Sequence, residues 1–384
     1  MLDIRTINSS TLLIINFDTI HLFNNLNNDV DLECFKYKHS IELTTATYLP
    51  KKNLIAFTDL NKKFHLLDTN NQVLTTKIFQ KRAAKLLVNQ EETTVILGDK
   101  TGDVYSLSLN DLENNEFKLI MGHLSMLTDM RLSSDEKFLL TSDRDEKIRI
   151  SHYPNTYNIF GYLLAHKEFV MQFEFLNNSN LLSVSGDSKL ILWDLKTLKP
   201  HQIIDVKSFL KEECQKELNG IDRFDFDVET NRVFIHLFKA NFLIQFDLVQ
   251  NELKFARQIN FNETIDDFVR LSPNFYLMAI LKNELDSKFL IKKISESGLD
   301  ELSENELKFK TLLNRLNSDV ALEKASDVKL EMEKNYQSYF KAIVNNMEDY
   351  YQRKQERIQS TSGKRKHTIS KSESDLSEPK VVVQ

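Results

Sequence analysis

A repeat of 40 to 44 residues runs through this chain of 384 residues. Aligned on a single turn position, which is occupied by Asn61, Thr101, Asp145 and Asp187, the copies are separated by 40, 44 and 42 residues. Within the copies, apolar and polar residues alternate in short runs, as in residues 147–151, and this alternation is typical of β-strands. Such a period indicates the four-stranded blades of a β-propeller.

Two copies contain the fixed positions of a WD repeat. In both, a histidine is followed 21 or 22 residues later by the turn aspartate: His123 by Asp145, and His166 by Asp187. The second copy ends in Trp193-Asp194. These landmarks identify the repeat as the WD type.

Weaker copies extend the repeat toward both ends of the chain. Phe246-Asp247 replaces the Trp-Asp pair in one copy, residues 275–293 have two apolar runs about a polar turn, and residues 10–23 look similar. Because one blade cannot bury both of its faces, neighbouring blades stack into a closed ring. The sequence therefore predicts an all-β, seven-bladed propeller over residues 1–293.

A buried hydrogen-bond relay is expected inside the blades, since WD repeats join the histidine, the turn aspartate, a hydroxyl and the tryptophan. In one copy His166, Ser183, Asp187 and Trp193 fit these positions. In the preceding copy we expect His123 to pair with Asp145. Ser151 stands at the tryptophan position there, so this second relay is expected to be incomplete.

Composition restricts the class of protein. Hydrophobic residues make up 41% of the chain, no apolar run approaches the roughly 20 residues of a membrane span, and the N-terminus lacks a signal-peptide pattern. The two cysteines, Cys34 and Cys214, form neither a disulfide framework nor a metal-spaced pair. We expect a soluble intracellular protein.

The residue types that carry chemistry are sparse. No two of the eight glycines are separated by one residue, and none of the nine histidines are spaced i, i+2 or i, i+4. Nucleotide-binding and methyl-donor loops and zinc-protease spacings are therefore absent from the sequence. We predict no catalytic residue, metal or cofactor on this chain. A net charge of −6 argues against a surface that is wholly devoted to nucleic acid.

Three segments depart from the strand pattern. Residues 205–220 read as a helical insertion, and residues 294–359 as a mainly helical segment. In the latter, one amphipathic helix is predicted, with the propeller favoured over another protein as its partner. Its apolar positions are Tyr336, Tyr339, Phe340, Ile343, Val344 and Met347.

The last segment, residues 360–384, is a Ser/Lys/Glu-rich tail that we expect to be disordered. It contains the basic run Lys364, Arg365, Lys366 and His367, which fits a nuclear-import signal or a contact to tRNA phosphates. A merely solvated tail is the competing interpretation.

The turn of residues 143–149 is densely charged. Where other copies have Ser-Gly-Asp-Ser-Lys or Asp-Lys-Thr-Gly-Asp, this copy has Asp-Arg-Asp-Glu-Lys, and Arg149 follows in the next strand. Most charged turns are simply solvated. An arginine held by a strand is, however, oriented in advance for a bidentate carboxylate contact, which favours a partner-binding role.

Several motifs together resemble one family. They are residues 98–105 (GDKTGDVY), 122–129 (GHLSMLTD), 141–151 (TSDRDEKIRIS), 152–154 and 165–170, within residues 97–194. This stretch resembles the WD-repeat, non-catalytic subunit of the eukaryotic tRNA (guanine-N7)-methyltransferase.

The resemblance implies a heterodimer with a separate catalytic subunit, which uses S-adenosylmethionine to methylate N7 of a variable-loop guanine in tRNA. Glu146 and Arg149 would meet charged residues of that partner, with Arg144 and Lys147 beside them. This chain would bind tRNA as part of the complex. Its expected location is the nucleus and also the cytoplasm. The alternative is a generic WD-repeat adaptor, such as a ubiquitin-ligase substrate receptor or a chromatin scaffold, since the fold alone separates none of these.

Overall fold

The strands form seven four-stranded antiparallel sheets, each built from one continuous stretch of sequence. This arrangement is seen in a computed structural model that describes residues 2–26, 32–212, 220–282, 286–295, 298–303, 306–320 and 325–340. The predicted seven-bladed propeller is therefore confirmed. We number the sheets blade 1 to blade 7 in chain order.

The bounds of the strands follow the repeat. Blades 1 to 3 consist of β1 (Leu2–Asn8), β2 (Thr11–Asn16), β3 (Thr19–Asn24), β4 (Glu33–Lys38); β5 (Leu43–Leu49), β6 (Leu54–Asp59), β7 (Lys63–Asp68), β8 (Val73–Ile78); and β9 (Ala83–Val88), β10 (Thr94–Asp99), β11 (Asp103–Ser108), β12 (Lys118–Gly122). Blades 4 and 5 consist of β13 (Leu127–Leu132), β14 (Phe138–Asp143), β15 (Lys147–His152), β16 (Ile159–Leu164); and β17 (Val170–Asn177), β18 (Asn180–Ser185), β19 (Lys189–Asp194), β20 (Lys199–Asp205). Blades 6 and 7 consist of β21 (Ile221–Asp227), β22 (Arg232–Leu237), β23 (Phe242–Val249), β24 (Glu252–Asn260); and β25 (Asp267–Ser272), β26 (Phe275–Ile280), β27 (Lys288–Ile294), β28 (Leu299–Asp300).

The core lies between neighbouring blades. In β15, Ile148 and Ile150 are buried and pack in one cluster with Phe173 and Trp193 of blade 5. Middle strands such as β2 are buried along their whole length because a blade covers each of their faces. The outermost strands have only one inner neighbour, which leaves most of their side chains at the surface.

Blades 1 and 7 meet directly at a seam, since no strand is exchanged between them. Helix α1 (Leu307–Asp319) covers this seam. Its Phe309 stacks on Phe275 of blade 7 at 4.1 Å between ring centroids, and Leu312 joins one core cluster with side chains of blades 1 and 7. The side chain of Asn317 bonds to the backbone of Phe289 in β27. The helix thus completes the apolar core at the ring closure.

Helix α2 (Ala325–Tyr339) lies on the upper face of the ring, which we define as the face that carries the loops between successive blades. Tyr336 stacks on Phe238 of blade 6 at 4.1 Å, and Phe169 lies between blades 4 and 5 with its ring 5.2 Å from that of Tyr339. Glu331 pairs with Arg82 of the loop that enters blade 3. The described part of the predicted amphipathic helix, which includes Tyr336 and Tyr339, therefore packs on the propeller.

Several predicted boundaries can be compared with these elements. Blade 7 continues past residue 293, because β28 pairs with Lys293 and Ile294 of β27. In the 205–220 segment the structure describes a 3-10 helix, Val206–Phe209, while residues 213–219 lie outside the described residues. The tail of residues 360–384 and the positions Ile343, Val344 and Met347 also lie outside them. None of the described helices is long and apolar enough to cross a membrane.

Candidate partner-binding surface

The relay of blade 5 joins all four side chains that the sequence assigned to it. His166 Nε2 lies 2.7 Å from Ser183 Oγ, and Trp193 Nε1 donates to the same oxygen at 2.8 Å. On the other side of the imidazole, His166 Nδ1 lies 3.2 Å from Asp187 Oδ2. Because all four groups are paired in the blade interior, they serve the fold and are not available to a ligand.

The relay of blade 4 uses a different aspartate from the one assigned by sequence. His123 Nδ1 lies 2.7 Å from Asp143 Oδ2, and His123 Nε2 lies 2.7 Å from Thr141 Oγ1. Asp145 is corrected to a turn residue, whose N–H donates to Asp143 Oδ1 at 2.9 Å. The physical reason is that Asp143 is the last residue of the buried strand β14, whereas Asp145 lies two residues later in the turn.

A signal for this assignment was present in the sequence. An aspartate ends the second strand in three successive blades, as Asp59, Asp99 and Asp143. Alignment on the strand end, instead of the following turn, would have selected Asp143.

The charged turn contains the four residues predicted to bind a partner. Lys147 Nζ lies 3.5 Å from Asp143 Oδ2 and its side chain is partly exposed. Glu146 lies in the left-handed region at φ 73°, and the backbone N–H of Arg144 donates to Met126. Arg144, Glu146 and Lys147 are half-buried at the upper face, where loop and turn meet.

Arg149 differs from the other three because its guanidinium bonds within the chain. Nε donates to Ser151 Oγ at 2.9 Å, one terminal nitrogen to the carbonyl of Thr156 at 2.9 Å, and the other to the carbonyl of Gly122 at 3.3 Å. Burial lowers the pKa of Arg149 from its ordinary value. The residue therefore holds the loop after β15 against blade 3, and its role toward a partner remains a prediction.

Beside this turn, the outer strand of blade 4 and the loop before it carry large apolar side chains on the surface. We call this surface the blade 4 patch; its exposed members are Tyr157, Ile159, Phe160, Tyr162 and Leu164. In the register of β15 and β16, Leu164 lies opposite Lys147, and Tyr162 lies opposite Arg149. Leu119 of β12 and Leu124 of the next loop are also exposed. Adjacent exposed apolar residues of this kind mark interaction sites.

The blade 4 patch has the form of a protein interface. Its centre is aromatic and aliphatic, and its upper rim is the charged turn, which matches the apolar core and polar rim of stable interfaces. The sequence reasoning missed it, although residues 159–164 (IFGYLL) show no polar alternation. A run without alternation reads as a buried strand, and only the position of β16 at the blade edge shows that it is exposed.

Charged side chains also line the central channel. A cavity of about 440 Å³ there is lined by acids and bases, among them Lys85 paired with Asp129 at 3.5 Å. Burial raises the pKa of Glu174 in this lining to about 7, with Arg131 opposing the shift. Of the described residues around the cavity, none is a histidine, cysteine or serine.

Comparison with solved structures reproduces the fold. The WD40 propeller domain of Doa1 matches with a TM-score of 0.55 and 15% identity over 72% of this chain and 88% of that chain. The C-terminal WD40 domain of Sif2 matches with a TM-score of 0.56 and 12% identity over 75% and 93%. At these identities the likeness concerns the fold alone.

Comparison of sequences is more specific. The tRNA (guanine-N(7)-)-methyltransferase non-catalytic subunit TRM82 of Saccharomyces cerevisiae is 37% identical over 188 residues, covering 46% of this chain and 41% of that protein. The non-catalytic subunit wuho of Drosophila pseudoobscura pseudoobscura is 34% identical over 41% of this chain and 40% of that protein. The match thus spans about two fifths of the length of these relatives. The non-catalytic subunit wdr4 of Danio rerio is 30% identical over 312 residues, 79% of this chain and 74% of that protein.

A family model described as the tRNA methyltransferase TRM82 WD40 domain matches residues 37–116 and 110–284. These residues include the second to sixth blades and with them the charged turn and the blade 4 patch. Since they make up more than half of the sequence, the chain belongs to the family of the tRNA methyltransferase TRM82 WD40 domain.

Proposed function

We propose that this chain is the non-catalytic WD-repeat subunit of a heterodimeric tRNA (guanine-N7)-methyltransferase and that it binds the catalytic subunit through the blade 4 patch. The names of the relatives support the subunit role. The observation that carries the binding surface is the exposed apolar strand β16 beside the charged turn.

Burial of the patch would supply the affinity. Apolar surface contributes roughly 25 cal/mol for each Å² removed from water, so a few large side chains at the centre of an interface dominate its free energy. The charged rim would set orientation and partner choice, because opposed charges steer association and like charges reject wrong partners. Glu146 and Lys147, one of each sign, fit such a rim.

The catalytic work is assigned to the partner. S-adenosylmethionine would bind the catalytic subunit, and this chain would hold no methyl donor. This chain would contribute by stabilising the partner, because a protein that binds only the native state of its partner stabilises that state. The guanine N7 would therefore be methylated at a site on the partner, with this subunit fixing the active conformation and the approach of tRNA.

Two matched substitutions test the surface. Leu164 in blade 4 and Ile78 in blade 2 occupy the same register position, opposite Lys147 and Lys63, and are 66% and 81% exposed. We expect Leu164→Glu to reduce co-purification of the catalytic subunit at least tenfold, and Ile78→Glu to leave it unchanged. Equal retention in both variants would contradict the surface, and thermal unfolding of each variant would report on folding.

The activity is tested in cells. Deletion of the gene should remove N7-methylguanosine from tRNA, and wild type and Ile78→Glu, but not Leu164→Glu, should restore it. Unchanged modification after deletion would reject the subunit role itself.

We also propose a nuclear location, with the cytoplasm as a second one, on the basis of the basic run at residues 364–367. Imaging of the tagged chain with and without that run tests this. Equal nuclear signal in both would refute the role of the run.

A further inference from the structure

Blade 2 contains two histidines around one buried carboxylate. His39 precedes β5 by four residues, as His123 precedes β13, and Asp59 ends β6 as Asp143 ends β14. The second histidine, His65, comes from β7. His39 Nε2 lies 3.4 Å and His65 Nε2 lies 3.1 Å from the same oxygen, Oδ2 of Asp59.

This cluster departs from the relay of blades 4 and 5. The hydroxyl position of the relay, held by Thr141 and Ser183, is occupied by Phe57 in blade 2. His39 therefore has no hydroxyl partner at this position. Its imidazole has the opposite orientation to those of His123 and His166, because Nε2 faces the carboxylate and Nδ1 lies 3.3 Å from the hydroxyl of Tyr37. Blade 2 therefore does not build the ordinary relay.

The distances of the two histidines from Asp59 are close to those between ligands of a shared ion. The histidine–carboxylate distance is 2.7 Å in blade 4 and 3.2 Å in blade 5, and the 3.4 Å between His39 and Asp59 is longer than both. Nitrogen and oxygen atoms that each lie about 2.0 to 2.2 Å from a tetrahedral Zn²⁺ are separated by roughly 3.4 Å. In blade 2 the ligand atoms of all three residues lie within 4.8 Å of one another.

The groups behind these ligands are arranged as a second shell. Thr76 Oγ1 lies 3.0 Å from His65 Nδ1, and the Tyr37 hydroxyl takes the same position behind His39. The other carboxylate oxygen, Oδ1 of Asp59, accepts from the backbone N–H of Lys63 at 2.9 Å. Metal-binding histidines usually bond through the second ring nitrogen in this manner, which fixes the ring and its tautomer.

Burial leaves one side open. The side chain of Asp59 is 0% exposed and that of His65 is 6% exposed, whereas the His39 side chain borders solvent with 12%. A water molecule can therefore reach the cluster from the side of His39 as a fourth ligand.

We propose that blade 2 binds one Zn²⁺ ion through Nε2 of His39, Nε2 of His65 and Oδ2 of Asp59. Neutral imidazoles and a carboxylate are ligands that Zn²⁺ prefers. The bound ion joins the loop between blades 1 and 2 to the hairpin of β6 and β7. The sequence spacing gave no sign of the site, since its ligands come from a loop and two strands that only the fold brings together.

Cobalt and zinc binding to the full-length chain test the proposal. After removal of metals with a chelator, we expect Co²⁺ to bind one equivalent and to give the strong visible d–d absorption of a tetrahedral site, and Zn²⁺ to displace it. Failure of the wild-type chain to bind either ion would overturn the proposal, whatever the variants do.

Substitutions locate the site. His39→Gln and His65→Gln should each weaken Zn²⁺ binding at least a hundredfold, and Thr76→Val about tenfold, as loss of a second-shell contact does. His123→Gln, at the position of blade 4 that matches His39, is the control and should keep one equivalent. Zinc that remains bound in His39→Gln and His65→Gln, or that is lost equally in the control, would show that the ion does not sit in blade 2.

Discussion

Leu164 lies directly opposite Lys147 across β15 and β16, so that an exposed apolar side chain borders the charged turn. The two residues belong to one hairpin of blade 4, which fixes their separation. A partner that covers Leu164 must also meet the turn. In the proposed binding mode, affinity and selectivity would therefore come from adjacent positions of the same hairpin.

Arg149 offers a prediction about stability. Arg149→Ala removes three hydrogen bonds and leaves the carbonyls of Thr156 and Gly122 without this donor. We expect the free energy of unfolding to fall by about 2 kcal/mol, measured by urea denaturation. Arg149→Lys should recover little, because an ammonium cannot reproduce the planar fork.

Lys147→Ala is the control for Arg149, since its partly exposed ion pair with Asp143 should contribute less than about 1 kcal/mol. A test of partner binding with Arg149→Glu must therefore be read beside this stability change. A fully stable Arg149→Ala chain would show that the guanidinium does not hold the loop.

The buried carboxyl group of Glu174 should make the free energy of unfolding depend on pH. Burial raises its pKa from 4.5 to about 7, so the folded chain binds more protons than the unfolded chain between these values. The free energy of unfolding must then fall as the pH rises through this window, and the destabilisation is complete above about pH 7.

Glu174→Gln removes this titration. We expect it to raise the free energy of unfolding by about 1 to 2 kcal/mol at pH 8 and to change it little at pH 4.5. Glu91→Gln, with a side chain 74% exposed, is the control. A gain that is equal at both pH values would contradict the assignment to titration.

Helix α2 contributes to stability through its aromatic residues. Tyr336→Ala removes a buried ring that stacks on Phe238, and we expect a loss of about 3 kcal/mol. Leu330→Ala, on the same helix and half exposed, should cost less than about 0.5 kcal/mol. If thermal unfolding gave equal shifts for both, the helix would not be anchored by Tyr336.

The tail predicts a salt effect. The three basic residues Lys364, Arg365 and Lys366 would release counterions on contact with tRNA phosphates. In the complex, truncation of this chain after residue 360 should reduce the magnitude of the slope of log K for tRNA binding against log salt concentration by about 2. Truncation after residue 367 should preserve the slope. Binding titrations at several salt concentrations measure both, and identical slopes would remove the tail from the tRNA contact.

Some features could be predicted from the sequence because they are periodic. The blade count follows from the repeat, and the relay of His166 and Trp193 follows from fixed spacing within one copy. Asp143 was missed because alignment on a turn is uncertain by two residues, which is the separation between the buried Asp143 and the half-buried Asp145.

Other features could not be predicted because they depend on position in the ring. Whether an apolar strand is buried is decided by its place within the blade, so Leu164 reads like a core residue until β16 is seen at the edge. The meeting of His39 with His65 depends on a loop and a strand brought together by folding. Rules about the spacing of metal ligands in sequence apply within one loop, strand or helix, and they do not show which residues of two separate elements meet in the fold.

The uninterrupted order of the strands has a consequence for synthesis on the ribosome. Each blade can form as soon as its own four strands have emerged, but the first blade keeps an uncovered apolar side until blade 7 and α1 have left the exit tunnel. The growing chain is therefore an open spiral for nearly the whole of translation, and it closes only when its two ends meet. A stop codon before Leu307 would leave the seam between blades 1 and 7 without its covering helix, and chaperones and proteases recognise such a bare hydrophobic surface.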